Sequence, residues 1–171
     1  KLHQEETGLK RSQYPEMFLR VPTSITGHRE ELLPPPAQHM DAFDFEGELA
    51  VVIGKPGRHI AEKDALSHVA GFASYNEGTV RAYQRHNRQF GLGKNFECSG
   101  AFGPWLMTAD EFGDPYVQSV VTRLNGVEKQ RSNTAYMLFK VDELVADISQ
   151  GITLEPGDII ATGTPAGVGA G

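Results

Sequence analysis

The stretch FDFEGELAVVIGK, residues 43–55, places Glu46 and Glu48 two positions apart at the front of the apolar run Leu49-Ala50-Val51-Val52-Ile53. The run reads as a strand over residues 44–54, and residues i and i+2 of a strand share a face. The two carboxylates therefore enter the fold side by side. There they repel each other and lose hydration as they become buried. A cation held between them removes the difficulty. Taken alone, the pair also fits a solvated strand face.

The rest of the chain limits what that strand can join. Nineteen glycines and ten prolines in 171 residues mean many turns, so the chain reads as one β-rich domain with few long helices. Residues 1–40 read as an irregular segment wrapping the core, extended through Pro34-Pro35-Pro36, with apolar Met17, Phe18 and Leu19 ahead of it. Residues 61–72 read as a short helix with Ala65, Leu66, Val69 and Ala70 on one stripe and Gly71 as its stop, followed by a strand at FASY. TVRAYQRHNRQF reads as a helix, and Trp105–Met107 as a short strand with Trp105 in the core. Asn125-Gly126 between strand-like runs is a hairpin turn. Leu138, Val141, Leu144, Val145 and Ile148 have helical spacing, closed by Gly151. LEPGDIIATGTPAGVG is a turn, a strand and a glycine-rich loop. Strands and helices intermix without regular βαβ alternation, which makes the class α+β.

A third acid, Glu77, stands before the TVRAYQ segment. Glu77, Arg81, Gln84 and Arg88 share one helical face if the helix reaches back that far. Three carboxylates with water suit a hard divalent cation such as Mg²⁺ or Mn²⁺. Equally, Glu77 and Arg81 read as an i,i+4 ion pair, and spacing does not show that residues distant in the chain meet. No HExxH pattern is present for zinc. GLGK fails as a phosphate loop, because Arg88 stands where the first glycine belongs and Asn95 follows Lys94.

Taken together, FDFEGELAVVIGK, NEGTVRAYQ, GKNF followed by FGPW, the LNG hairpin and LEPGDIIATGTPAGVG resemble the fumarylacetoacetate hydrolase superfamily, in that family's order, from residue 3 to residue 169. The resemblance implies a single catalytic domain over 1–171, without its extreme N- and C-terminal segments, folded as a mixed β-roll with short helices and working as a homodimer. It implies that Glu46, Glu48 and Glu77 hold a divalent ion, Mg²⁺ first, with Mn²⁺ or Ca²⁺ as alternatives. The family's usual N-D-V-S-x-R-D pattern has aspartate at the third position. Here Asn76-Glu77-Gly78-Thr79-Val80-Arg81-Ala82 supplies glutamate, one methylene longer.

By the same resemblance, His3 and Glu6 are a water-activating dyad, the tail of a G-x-N-Y-x-x-H-x-x-E pattern, and Lys94 is the active-site lysine. Arg81, Gln84, Lys94, Gly163 and Thr164 face the substrate, with Gly163 and Gly167 letting the backbone approach closely. The implied reaction is hydrolysis of a carbon–carbon bond in a 2,4-dioxo acid, an acylpyruvate such as fumarylpyruvate or a fumarylacetoacetate-like compound, through a metal-stabilised enolate in aromatic breakdown. The same site serves a 2-oxo acid decarboxylase or an isomerase or hydratase. A metal- or oxo-acid-binding protein without catalysis is the reading from another class.

The resemblance implies a small-molecule 2-oxo acid as the partner, and the composition sets limits beside it. A net charge of −6 argues against nucleic acid and anionic membranes. No run approaches the eighteen apolar residues of a membrane span. Cys98 is the only cysteine, so no disulfide forms within the chain and a reducing, cytoplasmic setting is expected.

Overall fold

The structure is a computed structural model that describes residues 12–170. His3 and Glu6 lie outside the described residues. Ten strands are present among those described: β1 (Ile25–Gly27), β2 (Phe43–Asp44), β3 (Gly47–Ile53), β4 (Val69–Glu77), β5 (Thr79–Val80), β6 (Gly100–Phe102), β7 (Met107–Thr108), β8 (Ser119–Leu124), β9 (Val127–Asn133) and β10 (Ile159–Ala161). The α-helices are α1 (Arg81–Gln84), α2 (Gly91–Lys94), α3 (Ala109–Phe112) and α4 (Val141–Gly151), joined by short 3₁₀ turns. The class is α+β, with a β-rich core.

A mixed sheet ordered β1-β6-β4-β3-β10 forms the body, with β7 also on β4. Its central pair is β3 against β4, antiparallel from Gly47↔Asn76 to Val51↔Phe72 and onward through a bulge at Val52/Ile53. Alternation gives this pair two different faces. Leu49, Val51 and Ile53 join Phe72, Val141, Val145 and Ile160 in the main apolar core, over which α4 lies. Glu48 and Ala50 point the other way, with Ala73, Tyr75 and Glu77 from β4. The acids ahead of the strand thus sit opposite the core.

The helix expected over 61–72 is a 3₁₀ turn, Glu62–His68, and β4 begins immediately after it at Val69. Leu66 is accordingly exposed, not on a buried stripe. Gly71 does not stop a helix; it lies inside β4, where a Cβ would collide with the Met107 carbonyl of neighbouring β7. The TVRAYQRHNRQF helix shrinks to the four residues of α1, because Thr79 and Val80 pair instead with Phe43 and Asp44 of β2. Glu77 therefore ends a strand and Arg88 lies beyond the helix, so the four-residue face expected from spacing does not form.

The 105–107 strand forms at Met107–Thr108, and Trp105, expected in the core, is 66% exposed between β6 and β7. In the N-terminal segment, Ile25–Gly27 adds an unexpected parallel edge strand on β6. Met17 and Leu19 are exposed, and Phe18 packs edge-on against Phe90, so this segment covers the site region rather than the core.

The hairpin turns at Asn125 (φ 52°) and Gly126 (φ 79°), both left-handed, as a two-residue turn between twisted strands requires. It is tied to the site by Gln130, only 1% exposed. Its Oε1 accepts from the Gly47 N–H at 3.0 Å, and its Nε2 donates to Thr164 Oγ1 and the Pro165 carbonyl, both at 2.8 Å. One buried amide thus joins the start of β3 to the glycine-rich loop after β10.

Candidate metal centre

Glu46, just before β3, Glu48 within it and Glu77 at the end of β4 each offer an oxygen within 4.8 Å of the others. Their burial is nearly complete, at 5%, 4% and 3% exposure. A ladder contact fixes the approach, since the Glu77 N–H donates to the Glu46 carbonyl at 2.8 Å. Isolated buried carboxylates are costly by several kcal/mol each. Here cations from three other segments answer them.

Lys94 of α2, 3% exposed, donates from Nζ to Glu46 Oε1 and to Glu77 Oε2, both at 2.9 Å. The Phe18 ring centroid lies 5.1 Å from the same nitrogen. Arg81 lies 2.6 Å from Glu46 Oε1 through Nη1, and Asp44 Oδ2 accepts from its Nε at 2.9 Å. The i,i+4 pair of Glu77 with Arg81 is absent. Instead Arg20 approaches Glu77 at 3.7 Å while donating to the Ser24 carbonyl and to Ser99 Oγ. The local tally is four carboxylates (Asp44, Glu46, Glu48, Glu77) against three cations (Arg20, Arg81, Lys94), leaving one negative charge.

Glu48 carries that charge. No cation among the described residues lies within ion-pair distance of it, and the one hydrogen bond it receives from them comes from the Gly163 N–H to Oε2 at 2.7 Å. Burial first, then repulsion from Glu77 and Glu46, hold its carboxyl well above the usual carboxylate range. A divalent cation cancels both effects.

The free oxygens fit one. Lys94, Arg81 and Thr79 all converge on Glu46 Oε1, Lys94 on Glu77 Oε2 and Gly163 on Glu48 Oε2. The second oxygen of each glutamate keeps no hydrogen bond among the described residues, and only Glu77 Oε1 has a cation near it, Arg20 at 3.7 Å. Three such hard oxygens suit Mg²⁺ or Mn²⁺ and not a thiophilic metal.

The expected substrate-facing residues are brought together. Arg81, Gln84, Lys94, Gly163 and Thr164 all line one cavity of about 1110 Å³, which borders the triad and runs on past β10 to Leu144 and Ile148 of α4. Much of their bonding capacity is already used within the chain. Gln84 Oε1 accepts from Arg81 at 2.9 Å, leaving its amide N–H groups available. Thr164 Oγ1 donates to the Gly47 carbonyl at 3.0 Å while accepting from Gln130. Gly163 is required by its φ of 96° rather than by close approach, since a Cβ there meets nothing within 4 Å; at Gly167 a Cβ would meet the Lys129 carbonyl.

Sequence reasoning passed over four residues of the site: Asp44, Arg20, Gln130 and Tyr75. Asp44 ties Arg81 to the last loop, accepting from the Gly169 N–H at 2.8 Å and the Ala170 N–H at 3.1 Å. Its place two residues before Glu46, on the same strand parity, is the signal that marks it. Tyr75, opposite Glu48 across the β3–β4 ladder, has a buried hydroxyl with no hydrogen-bond partner among the described residues, and burial pushes its pKa up, keeping the proton on the oxygen. Arg20 reaches the site from a distant loop and Gln130 from β9, and no spacing announces them.

Among known proteins, the chain is 40% identical over 159 residues to oxaloacetate tautomerase YisK of Bacillus subtilis, covering 93% of this chain and 52% of that protein. It is 42% identical over 170 residues to the human mitochondrial oxaloacetate tautomerase FAHD2B, covering 98% and 53%. The chain thus spans about half the length of these curated relatives. The fold matches the crystal structure of fumarylpyruvate hydrolase from Pseudomonas aeruginosa in complex with Mn²⁺ and pyruvate, with a TM-score of 0.89 and 31% identity over 98% of this chain and 75% of that one. The model of the fumarylacetoacetate (FAA) hydrolase C-terminal domain matches residues 1–171, and the chain belongs to that family.

Proposed function

We propose that the chain carries the active site of a divalent-metal-dependent enzyme that moves a proton on a 2-oxo acid, as an oxaloacetate-type keto–enol tautomerase. The observation that carries this reading is Lys94. An ammonium has three N–H donors. Two are spent on Glu46 and Glu77, which leaves one for a bound ligand, at a nitrogen fixed by two buried carboxylates. A divalent ion on the three glutamates, Mg²⁺ first and Mn²⁺ or Ca²⁺ next, supplies Lewis acidity toward the carboxylate and keto oxygens of the acid.

The chain's own residues supply the rest. Arg81 and the free amide N–H groups of Gln84 orient the acid's carboxylate, with Thr164 and the Gly163 turn as the opposite wall. The remaining donor of Lys94 Nζ stabilises negative charge developing on the keto oxygen and is placed to exchange a proton with the ligand. The groups named in this reading, Lys94, Arg81, Gln84, Gly163, Thr164 and the three glutamates, all lie among the described residues. The tautomerase names of the Bacillus subtilis and human relatives, each at least 40% identical, support the same choice.

Hydrolysis of a 2,4-dioxo acid such as fumarylpyruvate is the second reading, supported by likeness to the Pseudomonas aeruginosa hydrolase. It needs a water-activating base besides, the role assigned to His3 with Glu6. The protein works in either case on a free small molecule, as a cytoplasmic homodimer.

The test is a stopped-flow assay of enol-oxaloacetate ketonisation, with parallel detection of pyruvate from fumarylpyruvate and of CO₂ from oxaloacetate. Acceleration that requires Mg²⁺ or Mn²⁺ and conserves all carbon is the expected result. Pyruvate release establishes the hydrolase, and CO₂ a decarboxylase. No turnover of any kind, with oxalate still binding in the presence of Mg²⁺, leaves a binding protein.

A further inference from the structure

Four cationic side chains line the cavity that borders the triad: Arg20, Arg81, Arg85 and Lys94. Three are committed. Arg20 is held by Ser24, Ser99 and Glu77, Arg81 by Asp44, Glu46 and Gln84, and Lys94 by Glu46 and Glu77. Arg85 is the exception, with no ion-pair partner among the described residues. Its backbone N–H donates to the Arg81 carbonyl at 3.1 Å, which extends the turn of α1 by one residue.

Position makes this free charge relevant. Arg81, Gln84 and Arg85 stand at i, i+3 and i+4, the spacing that shares one helical face, and all three line the cavity. Tyr83 is turned away, into the rings of His39, His86 and Phe96. Arg81 reaches Glu46 of the triad and Gln84 is bonded to Arg81, whereas Arg85, one turn on from Arg81, is exposed. Its guanidinium can pair with a carboxylate through two parallel hydrogen bonds.

Charge gives the same answer. The buried cluster carries one excess negative charge, and a bound divalent ion turns that into one excess positive charge. A single 2-oxo carboxylate then neutralises the interior. A second carboxylate on the same ligand needs a cation of its own, and Arg85 is the one the cavity holds in reserve.

We infer that Arg85 selects dicarboxylic 2-oxo acids by receiving the carboxylate farthest from the glutamate triad. This rests on the 2-oxo acid reading above and names a substrate class for it. Because Arg85 acts on a group remote from the reacting carbon, it governs binding and not the chemical step.

Binding and turnover test it separately. With saturating Mg²⁺, calorimetry of malate against lactate, which differ by the distal carboxylate, is expected to show tighter malate binding to the wild type. Arg85→Gln is expected to shrink that preference about tenfold, with most of it recovered in Arg85→Lys. In turnover, Arg85→Gln raises KM for oxaloacetate about tenfold with little change in kcat, and raises KM for acetopyruvate, a monocarboxylic acid, far less. A wild type that does not distinguish malate from lactate overturns the inference whatever the activity. So does an Arg85→Gln variant whose KM rises equally for both acids. A wild type that binds malate selectively through Arg85 but turns over no 2-oxo acid overturns the functional reading instead.

Discussion

On one face of the β3–β4 pair stand Leu49, Val51, Ile53 and Phe72; on the other stand Glu48, Ala50, Ala73, Tyr75 and Glu77. The backbone ladder is common to both, and side-chain alternation alone separates them. The first face is held by exclusion of water, each fully buried aliphatic side chain contributing about 1.5–3 kcal/mol. The second holds four carboxylates and three cations whose desolvation largely offsets their attraction. A sheet can therefore be stabilised by one face and pre-arranged for chemistry by the other. The working face is the one that contributes least to stability, as expected where stability and activity compete.

The largest expected effect is on the working face. Lys94→Met removes the donor shared by Glu46 and Glu77, and turnover with saturating Mn²⁺ is expected to fall about 100- to 1,000-fold. Steady-state kinetics check this; unaltered turnover makes the lysine a structural tie only. On the core face, Ile53→Ala is expected to destabilise the fold by roughly 2–5 kcal/mol in urea titrations, while Mn²⁺ affinity of the folded protein is kept. If metal affinity collapses with it, the two faces are not separable.

Glu48→Gln sharpens the contrast with a smaller effect of opposite sign. It removes the uncompensated charge but keeps the acceptor for the Gly163 N–H, so the metal-free protein is expected to gain about 1 kcal/mol. In the same thermal melts the wild type is stabilised by Mg²⁺ and the variant is not. A variant less stable than wild type without metal shows that Glu48 is not strained.

The smallest effect is with pH. The folded protein holds the Glu48 proton more tightly than the unfolded chain, whose glutamate titrates near 4.5. That contribution is fully present below the unfolded value and is lost as pH rises through the elevated folded value. Melts of the metal-free wild type should therefore fall more steeply with rising pH above the ordinary glutamate range than those of Glu48→Gln. Parallel curves contradict the assignment.

Much of this was legible in the sequence, and the remainder was hidden for physical reasons. The parity of Glu46 and Glu48 and the apolar run beside them placed both faces of β3 correctly, because strand alternation is a local rule. Asn125-Gly126 and the spacing from Val141 to Ile148 were equally local. The segments 61–72 and 79–90 were misread because tertiary pairing overrode helical periodicity. Gly71 is needed small under the Met107 carbonyl, and Thr79-Val80 is claimed by β2. Arg20 and Gln130 were invisible because each reaches the site from a loop or strand that only the folded topology brings near. Glu77 was identified as a partner of the glutamate pair, but its cations were not: Lys94 and Arg20 hold it, not Arg81.

The most direct test is a crystal of the full chain grown with Mn²⁺ and oxalate, measured for anomalous scattering. The account predicts one strong peak with an oxygen of Glu46, Glu48 and Glu77 each at about 2.2 Å. No peak at the triad, with Lys94 still bridging Glu46 and Glu77 and Glu48 bonded only to Gly163, would contradict it.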